Sequence, residues 1–163
     1  YRFWAMEGLI GFWDGYTGNH NNFFAYLNPE NGRFHFLPWG ADALFAKYSE
    51  LGYNPKAPIS VKTKGMIAHK LYQSKSGRER YAQTMQHLLK ENWDEDALIA
   101  ETRRLEKLLL PHVIPAQSDF PEELEELRKF IRTRRADLVA EISDDTADDV
   151  DVINYNIWLK SKL

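Results

Sequence analysis

The stretch "GFWDGYTGNHNNFFAYLNPENGRFHFLPWGAD", residues 11–42, carries the clearest β-strand signals of the chain. Two of its segments, "NNFFAYL" (21–27) and "RFHFLPW" (33–39), are rich in aromatic residues, which favour β-strands. Between them lies "NPENG", in which the proline and the Asn-Gly pair are typical of a tight turn. The stretch therefore predicts a β-hairpin, and Pro38 ends its second strand or places it at an edge.

Polar residues stand at the ends of these strands. Asp14 precedes "GYTGN", Asn22 opens the first strand, and Asp42 follows the second. Because a hairpin returns the chain to its start, we expect these three side chains to converge at one end of the ribbon. Carboxylate and amide oxygens suit Mg²⁺, which is bound through one or two carboxylates beside substrate phosphates. An isolated Asp-Gly is more often an aspartate that forms a hydrogen bond within its own turn.

The order of these residues is that of the catalytic loop and metal-binding aspartate of protein kinases. In those enzymes an aspartate accepts the proton of the substrate hydroxyl, and an asparagine and a later aspartate hold the metal. By spacing, Asn19 fits the pattern Asp-x-x-x-x-Asn that begins at Asp14. By its position at the start of a strand, Asn22 fits better. Glu7, one to two turns before Asp14, is interpreted as a structural partner of the site.

Helical patterns account for most of the remaining chain. The opening residues "YRFWAMEGLIGFW" place apolar side chains near helical spacing, and the chain starts inside this pattern, so we expect a fragment whose N-terminal part is missing. Three amphipathic helices that form a bundle are predicted further on. Their start signals are a capping box of Ser76 with Glu79, a cap at Asp94, and the pair Asp119 and Glu122.

Charged segments complete this reading of the chain. Arg128, Arg132 and Arg135 follow one helical face and predict a solvated, paired surface. Residues 43–64 lack periodicity and are typical of a binding loop, and the acidic run "DDTADD" (144–149) predicts a linker before a C-terminal tail.

Overall composition excludes several classes of protein. The 21 basic and 24 acidic residues give a net charge of −3, so no general electrostatic attraction to nucleic acid is expected. No run reaches the roughly 18 apolar residues of a membrane span, and we expect no membrane insertion. The absence of cysteine excludes thiol nucleophiles and thiolate metal sites.

The segment "WAMEGLIGFWDGYTGNHNNFFAYLNPENGRFHFLPWGADALF", residues 4–45, resembles the CotH kinase family of bacterial spore-coat, secreted and surface proteins. The shared pattern is an aspartate in an Asp-x-Tyr context, His-Asn or Asn-Asn before an aromatic strand, and a strand that ends in Pro-Trp-Asp-x-Asp or a variant. Gly40 stands where many members have the first of those two aspartates.

The resemblance implies an atypical protein kinase that transfers phosphate from ATP, with Mg²⁺ or Mn²⁺, to Ser or Thr hydroxyls of a protein substrate. It implies Asp14 as catalytic base, with Asn22 and Asp42 binding the metal and nucleotide; Asn19 stays an alternative metal ligand. It also implies a spore-coat, cell-surface or secreted location. The expected fold is α+β, a mostly helical kinase-like C-lobe over residues 1–143 without its N-lobe, followed by the linker and tail over 144–163.

Two other functions stay open at this point. A structural or coat-assembly module with the same fold and impaired catalysis is favoured by Gly40 and opposed by the retained Asp14, Asn22 and Asp42. A helical interaction domain unrelated to kinases would make the polar strand ends simple turns, and the density of the motif argues against it.

Overall fold

The computed structural model describes residues 1–42, 44–45, 65–114 and 119–143. Its elements are, in chain order, helices α1 (Arg2–Ile10) and α2 (Tyr16–Asn19), strands β1 (Phe23–Asn28) and β2 (Arg33–Pro38), helices α3 (Met66–Tyr72), α4 (Lys75–Glu91) and α5 (Glu95–Leu109), a 3₁₀ turn (Leu110–His112) and helix α6 (Phe120–Ser143). The described residues are mainly helical and include a two-stranded sheet, which confirms the predicted α+β class. The predictions for most of the loop 43–64, the acidic run and the tail lie outside the described residues.

The hairpin is antiparallel, with Phe23 paired to Pro38 at its open end and Asn28 paired to Arg33 at its turn. The first strand begins at Phe23, two residues later than predicted, because Asn22 has a left-handed backbone (φ 52°) that no strand allows. The backbone N–H of Trp39 still donates to the Asn22 carbonyl at 3.0 Å. This bond fixes the open end of the hairpin, where the polar residues lie.

Helix α1 lies between the hairpin and the helical bundle. On one side the Phe3 ring is 5.5 Å from the Phe36 ring of β2. On the other side Trp4 stacks on Tyr81 of α4, with ring centroids 4.0 Å apart. Burial of aromatic surface on both sides stabilises α1 strongly and makes it the support on which the following loop is built.

The start of α4 differs from its prediction. Ser74, rather than Ser76, caps the helix: its hydroxyl oxygen accepts the Gly77 N–H at 3.0 Å and donates to the Leu71 carbonyl. The predicted capping box was wrong because the turn after α3 already places Ser74 beside the free N–H groups. Asp94 caps α5 as predicted, accepting the Ala97 N–H at 2.9 Å.

The arginine row of α6 is paired with carboxylates as predicted, but Arg132 alone of the three is classed as exposed to solvent. Arg128 is only 6% exposed, pairs with Glu106 and Glu125, and donates to the Thr102 hydroxyl at 3.1 Å. Arg135 binds the Glu95 carboxylate together with backbone carbonyls at the end of α4. These arginines therefore join α6 to α4 and α5, because their long side chains reach polar groups that a helical-wheel pattern does not show.

Candidate active site

Asp14 lies in the loop between α1 and α2, and amide side chains surround its half-buried carboxylate. Its Oδ1 accepts a hydrogen bond from Asn19 Nδ2 at 2.8 Å, and its Oδ2 accepts one from Asn22 Nδ2 at 2.7 Å. Asn21 Nδ2 lies 3.5 Å from Oδ1, at the limit of hydrogen bonding. A carboxylate has further lone pairs with which to accept a proton.

The backbone from α2 to β1 wraps around Asp14. His20 and Asn22 both have positive φ, 57° and 52°, a conformation in which asparagine and histidine are enriched among non-glycine residues. This turn lets Asn19, at the end of α2, and Asn22, just before β1, face the same carboxylate. Sequence reasoning named both residues and missed Asn21, since nothing in "NHNN" indicates how tightly the chain turns.

Gly40 lies directly beside the amide of Asn22. A Cβ added at Gly40 would come within 3.0 Å of Asn22 Oδ1 and 3.2 Å of its Cγ. Asn22 is 7% exposed, and its Nδ2 is used by Asp14, so its carbonyl oxygen Oδ1 faces the space that the missing side chain leaves. The position that holds an aspartate in many family members is thus adjacent to the predicted metal ligand.

Asp42 follows in a turn. Gly40 has φ 57°, and residues 41 and 42 continue the turn, so the chain changes direction between the end of β2 and Asp42. The Asp42 side chain is exposed, and among residues 1–42 it takes no part in the hydrogen bonds around Asp14. The structure therefore brings Asp14, Asn19 and Asn22 together, while a role for Asp42 stays a prediction.

Glu7 lies behind the loop rather than in it. Its carboxylate is 2% exposed and accepts the backbone N–H groups of Tyr16 and Thr17, each at 2.9 Å, and the Thr17 hydroxyl at 2.6 Å. Burial raises the pKa of Glu7, and the hydrogen bonds from Thr17 and Tyr16 oppose that rise. Glu7 is therefore a structural partner of the loop.

The donor set fits a hard divalent cation. No group of three or more His, Cys, Asp or Glu side chains suited to a metal occurs among the described residues. The oxygens that the structure brings together here are Asn22 Oδ1 and those of the Asp14 carboxylate. Few protein oxygens in a partly open site are what Mg²⁺ takes when phosphates and water complete its shell.

A hairpin with an Asp–Asn cluster at its open end, packed through α1 on a helical bundle, defines an α+β domain with a candidate active site. The family model described as CotH kinase protein matches residues 1–138 of the 163-residue chain. The chain therefore belongs to the CotH kinase family. Neither the curated proteins nor the solved structures contain a match to it.

Proposed function

We propose that the protein transfers the γ-phosphoryl group of ATP to Ser or Thr hydroxyls of a protein substrate, using Mg²⁺ or Mn²⁺. The observation that carries this proposal is the Asp14 carboxylate, held by Asn19 and Asn22 at the open end of the hairpin. Family membership over residues 1–138 supports the reaction class.

In this proposal Asp14 is the catalytic base. The substrate hydroxyl gives its proton to a carboxylate oxygen as its own oxygen bonds to the γ-phosphorus, and the bond from phosphorus to the ADP oxygen breaks. Amide donors on both sides fix the plane of the carboxylate, so a free oxygen lone pair is aimed before the substrate arrives. Such positioning is a large part of catalysis in phosphoryl transfer.

Asn22 Oδ1 and the Asp42 carboxylate are the proposed metal ligands, with Asn19 as the alternative amide. Asn22 is preferred because it is buried and tied to the hairpin through Trp39, whereas Asn19 is exposed. When bound, Mg²⁺ neutralises charge on the nucleotide phosphates.

The test is transfer of radiolabel from ATP by the full-length protein to a generic protein substrate and to itself. We expect metal-dependent labelling that falls by about 10² or more in Asp14→Asn, since general-base catalysis contributes on that order. Asp96→Asn, in the exposed first turn of α5, is the matched control and should keep full activity. Equal labelling by Asp14→Asn and the control contradicts the proposal.

A catalytically impaired structural or coat-assembly module is the second candidate, and Gly40 is the observation that favours it. Calorimetric titration of ATP, with and without Mg²⁺, separates the two. If Asp42 is a working ligand, Asp42→Asn removes the metal-dependent part of binding, and Gly40→Asp interferes because its Cβ would crowd Asn22 Oδ1 at a φ of 57°. If the site is degenerate, ATP binds equally with and without Mg²⁺, and Asp42→Asn changes nothing.

Location and substrate follow only from the family. We propose a spore-coat, cell-surface or secreted protein that acts on a protein partner. Among the described residues, none of the helices has the length and apolar character to cross a membrane.

A further inference from the structure

The start of helix α2 is capped by a residue from another helix. The N-cap position is Gly15, which has no side chain to accept the first free N–H groups of α2. Glu7 of α1 takes that role from nine residues away: Oε1 accepts the Tyr16 N–H, and Oε2 accepts both the N–H and the hydroxyl of Thr17. The carboxylate thus binds α2 to α1.

Gly15 and Glu7 fit each other closely. A Cβ at Gly15 would lie 2.3 Å from Glu7 Oε1 and 2.8 Å from its Cδ, so any larger residue would expel the carboxylate. The backbone of Gly15 is itself not left-handed (φ −87°), so glycine is needed here for space rather than for conformation. Position 15, next to Asp14, therefore requires glycine, because a side chain there would occupy the space of the Glu7 carboxylate.

The turn that follows Gly15 also fixes the backbone positions of Asn19 and Asn21. The Gly15 carbonyl accepts the backbone N–H groups of Asn19 at 3.1 Å and Asn21 at 3.2 Å. Glu7 binds the start of this turn through the N–H groups of Tyr16 and Thr17. At the end of the turn, the side-chain amides of Asn19 and Asn21 contact Asp14 Oδ1. Asn22 is anchored separately, through its own carbonyl and the N–H of Trp39.

We infer that Glu7 is a positioning residue for the Asp14 carboxylate: by capping α2 it fixes the turn that orients Asp14 Oδ1. The inference rests on the proposed kinase function for its kinetic part. Because Asn22 has its own anchor on the hairpin, disturbing Glu7 lowers kcat and leaves the binding of metal and ATP unchanged.

Substitution at Glu7 tests the need for a carboxylate. Glu7→Gln keeps the size of the side chain but replaces one oxygen by an NH₂ group, which then faces an N–H donor of Tyr16 or Thr17. Thr17→Val removes only the hydroxyl contact, and Thr17→Ser keeps it. Glu95→Gln is the matched control. It makes the same chemical change at a glutamate that also has a structural partner, Arg135, but lies away from the site.

Kinetics of the full-length protein give the first readout. We expect a kcat about 10- to 100-fold lower in Glu7→Gln, because small misplacements of reacting groups reach that size, with KM for ATP changed less than threefold. Thr17→Val should show a smaller fall that Thr17→Ser restores. A kcat in both Glu7→Gln and Thr17→Val within twofold of the Glu95→Gln value overturns the inference, as does a parallel change of kcat and KM.

Hydrogen exchange measured by NMR gives a readout that does not need activity. We expect the Tyr16 and Thr17 amide protons to be protected in the wild type and to exchange faster in Glu7→Gln, with the Asn19 side-chain amide signal shifted and the Trp39 amide unaffected. An Asn19 signal that is the same in both proteins overturns the inference. If the wild type transfers no phosphate, the proposed function fails, and this exchange experiment alone decides the role of Glu7.

Discussion

Replacing Arg134 of α6 by methionine should destabilise the domain more than any change on the outer face of the same helix. Arg134 is 1% exposed, and its guanidinium donates to the carbonyls of Gly8 and Leu9, the latter at 3.0 Å. It also lies 4.8 Å from the centre of the Phe130 ring. The Arg134 side chain thus binds α6 to the end of α1, just before the loop that carries Asp14.

The cost follows from what Arg134→Met leaves behind. The Gly8 carbonyl keeps a long contact with the Gly11 N–H at 3.4 Å, but the Leu9 carbonyl loses a charged donor. A hydrogen bond to a charged group contributes about 1.5–3 kcal/mol, and an unsatisfied buried group costs about 1–3 kcal/mol. Release of the guanidinium from burial offsets part of this. We therefore expect a net loss of about 2–4 kcal/mol in the free energy of unfolding.

Arg132→Met provides the control in the same helix with the same change of charge. The Arg132 side chain is 51% exposed and its nearest carboxylate oxygen, on Glu125, is 4.0 Å away, so its loss should cost less than about 0.5 kcal/mol. Urea unfolding followed by circular dichroism measures both variants. Equal midpoints for Arg134→Met and Arg132→Met would refute the argument that Arg134 supports the end of α1.

Two further predictions concern the bundle. Ser74→Ala should lower the free energy of unfolding by about 1 kcal/mol, because the Ser74 hydroxyl caps α4 at Gly77. Ser76→Ala should leave it almost unchanged. Thermal unfolding measures both variants, and a larger loss in Ser76→Ala would support the predicted capping box instead. The hydrogen bond from Arg135 lowers the pKa of Glu95, so this pair stabilises the fold above the ordinary pKa of glutamate, and the contribution is lost as pH falls through the lowered value. Glu95→Gln should flatten that part of the stability–pH curve, and a curve identical to that of the wild type would contradict the assignment.

Local chemistry was enough to predict much of this fold. The hairpin was readable from aromatic strands around "NPENG", and the start of α5 from Asp94, because turn and cap preferences act between neighbours in sequence. The proximity of Asp14 and Asn22 was predicted from the return of the hairpin, but both residues precede β1, and the tight turn between α2 and β1 brings them together. The hairpin and the start of α5 depend only on contacts within a few residues.

What sequence reasoning missed depends on distant contacts. Arg134 meets Leu9 across a separation of 125 residues, and no local pattern distinguishes it from the exposed Arg132. The burial of Arg128 has the same origin. Glu7 was predicted as a structural partner of the site, but the contacts that make it one, with Tyr16 and Thr17 and past the missing Cβ of Gly15, appear only in the structure.

In the proposed function, the open end of the hairpin holds a metal ion and nucleotide phosphates. A crystal structure of the full-length protein with Mn²⁺ and a non-hydrolysable ATP analogue tests this, because the anomalous signal of manganese locates the ion. We expect a manganese peak bonded to Asn22 Oδ1 and the Asp42 carboxylate, with the γ-phosphate facing Asp14. A nucleotide-bound structure with no manganese at Asn22, or with Asp42 directed away from it, would show that the metal site is assigned wrongly.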